Sequence, residues 1–442
     1  VKILFLTAYG ETSDIARRLK NEGNQVRLWI KDPGYRKDIY EGLIDKIQVW
    51  QMSVDWADLI IFDSNSMDDI WKQVHKKKPC YGGSEFGAIL EKDREYAHKV
   101  MEKIGLNRIE SKTFDKIEEV TKHLKEHKVP HVIKPFGDKI ASEHLIIGKY
   151  PDNSDAIALV ERFKEMKVPY DGIEVEEKKD GIEVGISAWF NGKDFIYPIN
   201  VNFEHKPFAS SLDGHGLGFL TGETGTVLKY DLNSDNKIFK ETLFKMKGLL
   251  AANNYRGQID ISLIVDDGGK PWPLEFTPRF GIPSAYIECE LQKDDLGKLF
   301  SGVANGTLKE NNVSYDWAMG VVVMSPGFPS SSEVKKQSLH TPIFGINKEN
   351  AFHVHLYEAM KKENKLVTTN GIGYPLVVSS SGETIEECQD SVYRMLDKDG
   401  IYVPRSWYRV DIGQRVLQQM GDIKGFGILP PYPSHDPILV SV

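Results

Sequence analysis

Apolar runs and a helix-spaced polar segment alternate over the first 63 residues. Val1 to Ala8 is an almost continuous apolar run, the pattern of a strand buried on both faces. Ile15, Ala16 and Leu19 then fall on one side of a helix, with Thr12 or Ser13 placed to cap it. Gln25 to Ile30 and Leu59 to Asp63 read as further strands, so the chain opens on a parallel α/β unit. Pro79 to Asp93 is rich in turn residues and predicts a domain boundary. After it, Leu90 to Gly105 has helical spacing and ends on a glycine suited to a C-cap.

The middle of the chain changes to strand patterning. A short apolar strand ends at Lys134, and Ile173 and Val175 alternate toward Glu177. Gly185 to Phe190 and Asp194 to Ile199 are joined by Asn191-Gly192, a strong hairpin signal. A second hairpin runs from Tyr255 to Val265, turns at Asp266 to Gly269 and returns through Glu275. Farther on, strands at Gly320 to Met324 and Pro375 to Ser379 and a helix at Ile385 to Leu396 predict a smaller α+β part.

The returning strand of the second hairpin carries the most suggestive chemistry. Glu275 and Arg279 stand four residues apart in Pro-Leu-Glu-Phe-Thr-Pro-Arg-Phe-Gly. A carboxylate there can hold a hard cation against a nucleotide phosphate, and a guanidinium can grip a phosphate or carboxylate with two donors. The same pair also fits a solvated salt bridge on a hairpin.

Composition narrows the choice. A net charge of −8 on 442 residues argues against nucleic acid or an anionic membrane as the main partner. Three scattered cysteines, Cys80, Cys289 and Cys388, suggest neither a disulfide framework nor a thiolate metal site. No apolar run approaches the ~18–20 residues of a membrane span, and the absence of GxGxxG weighs against a dinucleotide fold. Small-molecule chemistry in the cytoplasm is the expectation; no oligomeric state is legible.

The order of motifs resembles the phosphoribosylamine:glycine ligase (glycinamide ribonucleotide synthetase) family of the ATP-grasp superfamily. That family reads YRG, a hairpin, then E-[YF]-N-x-RFGDPE, against Tyr255-Arg-Gly and Glu275 to Gly281 here. Val175 to Gly185 is similar to its adenine-binding hinge VEEFLxGEExS, and Arg409 to Gly413 to its closing Arg-x-Asp-Ile-Gly. The resemblance implies an ATP-grasp fold of three parts: a parallel α/β domain over 1–90, the ATP-grasp domain over 91–312 with a flap at about 112–175, and a small α+β domain over 313–442.

It also implies site residues and an activity. ATP and Mg²⁺, or Mn²⁺ in its place, are the expected cofactors. Glu275 and Thr277, with Asp260 on the partner strand, are the expected metal ligands. Arg94, Lys134 and Lys139 would face the phosphates, Glu176, Glu177 and Lys179 the adenine, and Glu183 the ribose. Arg279 and Lys206 would serve catalysis. Gly10, His205, Thr221, Gly222, Gly225, His355 and Asn370 would contact the carboxylate or amine substrate. The implied reaction joins a carboxylate to an amine through an acyl phosphate, as glycine to phosphoribosylamine. Departures are substantial: the family's GxGGRE loop keeps only Gly10, its GKG flap keeps only Gly137, and its Asp-Pro-Glu becomes Ile282-Pro-Ser284. A paralogue using another acid or amine, and a nucleotide-binding sensor without turnover, therefore stand beside the ligase reading.

Overall fold

The computed structural model describes residues 1–136, 144–328, 338–369 and 371–429. As the opening pattern predicts, β1 (Lys2–Thr7), β2 (Gln25–Ile30) and β3 (Leu59–Phe62) are parallel strands; β4 (Cys80–Tyr81), inside the stretch read as a turn-rich boundary, joins them in the order β2-β1-β3-β4. The helix after β1 spans Ser13–Asn21, but neither predicted side chain caps it. The Thr12 hydroxyl instead donates to Asp63 Oδ2 at 3.0 Å, at the end of β3. The single helix expected over Leu90 to Gly105 is broken. Asp93 accepts from the Tyr96 N–H at 2.9 Å and caps a new helix, so Glu85–Lys92 is followed by Arg94–Lys103.

A second sheet contains β5 (Ser111–Phe114), β6 (His131–Phe136), β7 (Ile146–Ile147) and β8 (Gly172–Glu177) in the order β5-β8-β6-β7. Ile133, Ile173 and Val175 pack with residues of the helices Ile117–Glu126 and Ser154–Met166. Strand alternation then leaves Lys134, Glu174 and Glu176 on the opposite face.

The central sheet has eight strands. Its first five are β9 (Ile182–Asn191), β10 (Phe195–Ala209), β11 (Leu217–Asp231), β12 (Arg256–Val265) and β13 (Pro271–Thr277). Both predicted hairpins are present, with Phe190 opposite Phe195 and Val265 opposite Pro271. β14 (Trp317–Val323), β15 (Val354–Leu356) and β18 (Leu376–Gly382) complete the order β13-β12-β9-β10-β11-β14-β18-β15; β16 (Ala359–Lys362) and β17 (Lys365–Thr368) form a separate hairpin. The C-terminal part thus extends the ATP-grasp sheet edge to edge and does not pack beside it as a separate layer. β14 covers what would be an open β11 edge, and its Gly-Val-Val-Val run is buried because strands flank it on both sides.

A buried polar network ties the two ends of the chain together. Asp14 lies 2.6 Å from Arg17 Nη2 and 3.1 Å from Arg18 Nε, and accepts from the Tyr40 hydroxyl at 3.0 Å. Arg18 Nη2 lies 3.0 Å from His355 Nδ1 on β15, and His355 Nε2 lies 2.6 Å from Ser379 Oγ on β18. Ser379 in turn donates to Glu290. His355 has no exposed surface and stacks on Tyr286, so it joins elements and touches no cleft, contrary to its expected substrate role. Burial and then Arg18 push its pKa down to about 4.

Against complete burial, Arg17, the His355 hydrogen bond and Arg18 hold Asp14 below the usual carboxylate range. Asp14→Ala should cost ~3–5 kcal/mol at pH 7, the loss typical when one partner of a buried pair is removed. A depressed folded pKa contributes stability above the unfolded value of 3.8 that is lost as pH falls. Denaturant unfolding should therefore show the gap between wild type and variant shrinking as pH is taken below that value.

Candidate active site

One face of the central sheet is polar because alternate residues on each strand point the same way. Gly185 and Ser187 of β9 pair with Asn202 and Asn200 of β10, and with Ser262 and Asp260 of β12. Glu183, Glu204 and Lys206 extend that face, while Glu275 and Thr277 of β13 lie opposite Ser262 and Asp260. Ile186, Val201, Phe203, Ile261 and Phe276 occupy the other face and are buried. Lys206 Nζ is 2.9 Å from Glu183 Oε1 and 3.1 Å from Glu204 Oε2. The β10–β11 pairing slips between His205 and Pro207, and buried Glu223 joins the same electrostatic group.

Glu183, Glu204, Glu223, Asp260 and Glu275 therefore share the field of Lys206. Burial opposes the Lys206 charge, but Glu183, Glu204 and Glu275 hold its pKa well above the usual range. For the carboxylates the balance is reversed. Burial and then Glu204 push Asp260 up to about 7 and raise Glu223 well above its ordinary value. Asp260 Oδ2 accepts from Asn202 Nδ2 at 2.8 Å, yet Asp260 Oδ1, Asn202 Oδ1 and Glu223 Oε1 are buried with no hydrogen-bond partner among the described residues. Buried acceptors left without donors are costly, and a hard cation satisfies such oxygens. Glu275, exposed at the rim, and Thr277 beside Asp260 fit that cation's outer side.

The second sheet carries charged groups of its own. Lys134 Nζ lies 2.5 Å from Glu176, and Arg94 Nη1 lies 2.7 Å from Glu174. Although burial raises the Glu174 pKa, Arg94 and Lys134 hold it low. Glu174 and Glu176 also meet His98; their ligand atoms lie within 4.8 Å of one another, with both carboxylates already paired to cations. In the hinge, Glu177 is exposed and pairs with Lys179 at 3.3 Å. Lys179 Nζ sits 4.8 Å over the Trp272 ring, which supplies aromatic surface beside the hinge. Lys139 lies outside the described residues.

At the end of the first sheet, Gly10 takes φ +91°, and a Cβ there would meet Ile39 at 2.8 Å. The next residue, Glu11, feels Arg279 and Glu91, and its carbonyl accepts from the Tyr286 hydroxyl. Burial raises Glu11 against the opposing charge of Arg279; burial and then Glu11 push Asp63 up to about 7. Arg279 donates from Nε to Glu91 at 2.8 Å and from Nη1 to the Phe280 carbonyl at 2.8 Å. It also lies in the fields of both Glu11 and Glu275, linking the acidic end of the first sheet to the polar face of the central one.

Several expected substrate contacts lie elsewhere. His205 is buried on the apolar side of β10, since it occupies an odd position on a strand whose even positions build the polar face. Its Nδ1 is 3.1 Å from the Phe203 carbonyl, and its Nε2 accepts from the Gly413 N–H at 3.2 Å. Gly225 pairs with His205 and admits Ile412; a Cβ there would meet the Gly320 carbonyl at 2.7 Å. The Thr221 hydroxyl donates to the Lys206 carbonyl at 2.7 Å and so positions backbone, whereas Gly222 faces open space. Asn370 lies outside the described residues. The adjoining Ile372, Gly373 and Tyr374 N–H groups close on the Glu358 carboxylate.

The Arg409 to Gly413 motif acquires a definite role. Arg409 donates to the carbonyls of Pro207 and Gly214 and pairs with Asp411, which accepts from the Ser211 N–H. The glycine-rich tip between β10 and β11 is thereby clamped to the C-terminal segment.

Under the polar face, Gln258 Nε2 donates to Glu288 Oε1 at 2.6 Å, and burial pushes Glu288 up to about 8. A raised folded pKa means stability present below the unfolded value of 4.5 and lost as pH rises through about 8. Glu288→Gln keeps the acceptor and removes the charge. Its melting temperature should match wild type at ~pH 4 and exceed it by ~3 °C or more at ~pH 9, as read by calorimetry.

The chain is similar to known proteins over most of its length. The family model for the phosphoribosylglycinamide synthetase ATP-grasp (A) domain matches residues 92–285, a span containing Lys134, Lys206, Asp260, Glu275 and Arg279. A phosphoribosylamine–glycine ligase of Leptospira interrogans is 28% identical over 354 residues, covering 77% of this chain and 78% of its own. One from Lactococcus lactis is 27% identical, covering 78% of this chain and 80% of its own. The crystal structure of a phosphoribosylamine–glycine ligase from Thermotoga maritima superposes with a TM-score of 0.71 at 21% identity, over 93% of this chain and all of that one. An L-amino acid ligase from Bacillus licheniformis shares the fold at a TM-score of 0.58 and 15% identity, over 90% of this chain and 97% of its own. Among the described residues no helix is long and apolar enough to cross a membrane. Residues 92–285 thus match an ATP-grasp domain of the phosphoribosylglycinamide synthetase type, and the chain is similar over most of its length to phosphoribosylamine–glycine ligases, with the fold of the Thermotoga maritima enzyme.

Proposed function

We propose that the chain joins glycine to phosphoribosylamine with ATP, releasing ADP and phosphate, as the names of its curated relatives describe. The observation carrying this reading is the group of carboxylates around Lys206, with unpartnered oxygens on Asp260, Asn202 and Glu223. Mg²⁺, or Mn²⁺, held by Glu275, Asp260 and Thr277 would neutralise phosphate oxygens.

The chain's own residues do the rest by position and charge. Lys134 on the second sheet and Arg94 at the start of the helix Arg94–Lys103 present cations to the phosphates, and the hinge from Glu176 to Lys179 presents backbone to the adenine edge. Glu183, paired with Lys206 here, would accept from the ribose hydroxyls. Lys206 and Arg279 stabilise the phosphoryl group passing to the substrate carboxylate, and then the oxyanion formed when the amine attacks the acyl phosphate. No protein nucleophile is required. The reaction takes place on small molecules in the cytoplasm, without nucleic acid or membrane.

One observation favours a second reading, in which the amine differs from phosphoribosylamine. At the end of the first sheet Glu11, in the loop that is glycine-rich in the family, shares its field with Asp63 and Glu91, and Arg279 is the cation that meets them. Three carboxylates facing a single guanidinium suit an ammonium better than a phosphate. Amine-dependent ADP release from a panel of amino acids and amines distinguishes the two readings. Turnover confined to glycine with phosphoribosylamine supports the first, turnover confined to a cationic amine supports the second, and no turnover with any pair overturns both.

Glu275→Gln preserves shape and removes charge at the metal position. Turnover should fall ~10²- to 10³-fold, as for loss of one preorganised electrostatic contact, and the Mg²⁺ requirement should rise. A folded variant with wild-type turnover and unchanged Mg²⁺ dependence would remove Glu275 from the mechanism.

A further inference from the structure

A cavity of about 330 Å³ lies on another side of the molecule, between the edge strand of the first sheet and the beginning of β12. Its wall includes His75, Lys76, Lys77, Lys78 and Arg256, and no aspartate or glutamate. This concentration of positive charge is notable in a chain with a net charge of −8. Arg256 is four residues before Asp260 on β12, a separation of ~14 Å at ~3.4 Å per residue. The cavity is therefore distinct from the polar face already described.

The cations around it lack counter-ions. Half-buried Arg256 donates from Nη1 to the Ala304 carbonyl at 2.7 Å and from Nε to Asn254 Oδ1 at 3.2 Å, and forms no ion pair among the described residues. Burial alone lowers its pKa. Lys78 Nζ is fixed on the carbonyls of Asp55 and Ala57 at 3.0 and 2.7 Å, which leaves its charge without a carboxylate. Lys76 and Lys77 are exposed and make no ion pair among the described residues. The neighbouring acids are engaged: Glu85 and Asp68 pair with Lys72 at 2.9 and 3.5 Å. One wall is also braced, because the Trp71 and His75 rings stack at 3.9 Å with an interplanar angle of 6°.

We propose that this cavity binds a small phosphorylated metabolite, separate from the nucleotide and substrate sites. A guanidinium offers two parallel donors to a phosphate, and lysines add mobile point charges. A volume near 330 Å³ is within the range of small-molecule sites and can hold a sugar phosphate. Four lysine and arginine charges suit a dianion or a more highly charged group better than a single carboxylate. The location gives binding a consequence. Lys76 to Lys78 belong to the segment entering β4, whereas Arg256 begins β12, and the Gly82 N–H donates to the Arg256 carbonyl at 2.7 Å. A ligand held by both sides would stiffen the joint between the first sheet and the ATP-grasp sheet.

The test is calorimetric titration of the full chain with pyrophosphate and with ribose 5-phosphate, in saturating ADP and Mg²⁺ so that the nucleotide site is occupied. The expected result is a binding event, beside any at the substrate site, that weakens with salt and falls ~10- to 100-fold in Arg256→Gln, since 1.4 kcal/mol is a factor of ten and a charge-assisted contact contributes one to two such factors. The double variant Lys76→Glu, Lys77→Glu should show the same loss, with ADP affinity unchanged. Because these lysines are exposed, that variant keeps the test valid if Arg256→Gln fails to fold. Binding of pyrophosphate alone identifies a bare phosphate site; binding of ribose 5-phosphate as well identifies a phosphate ester site. No binding in saturating ADP, or binding indifferent to both variants, overturns the proposal.

Discussion

The site depends on an imbalance of charge on one face of a twisted sheet. Glu183, Glu204, Glu223, Asp260 and Glu275 share the field of Lys206, and the apolar residues alternating with them anchor that face over the core. Taking carboxylates out of water is expensive unless cations or donors meet them. The raised pKa of Asp260 and the unpartnered oxygens on Asp260, Asn202 and Glu223 show that the protein alone does not meet them. Under the proposed reading, stability given up there would be recovered when a metal–nucleotide complex binds.

The rest of the fold holds that face in place. The Asp14–Arg18–His355–Ser379–Glu290 network joins the first helix to strands more than 330 residues later. Arg409 and Asp411 grip the β10–β11 tip, and β14 closes the open edge of β11. These contacts explain why the C-terminal part cannot be treated as an appended module. Its strands share the sheet, and its side chains set the position of loops that border the cleft.

The motif resemblance is uneven along the chain. Lys134, Glu275 and Arg279 match the motifs of the resemblance, while the loop at Gly10 departs from it and brings Glu11 into the field of Asp63. Trp272 beside Lys179 offers aromatic surface at a hinge that has lost its apolar residues. A nucleotide site can survive such changes because hinge recognition rests on main-chain groups; a substrate pocket cannot.

Periodicity and motif order determined much of this by themselves. The parallel opening unit, both hairpins, the positions of Lys134, Glu275 and Asp260, and the ATP-grasp resemblance were all legible, because strand alternation and turn chemistry are local. Glu204 was within reach of the same reasoning, since Asn200, Asn202, Glu204 and Lys206 recur with period two. His205, one position away, was assigned by motif to the substrate and lies on the opposite face. His355 and Glu223 could be placed only by tertiary structure: one is buried through contacts with Arg18 and Ser379, the other re-aimed by a register slip. The basic cavity depends on two segments about 180 residues apart, at Lys76 and Arg256, and long-range packing of that kind leaves no periodic trace in the sequence.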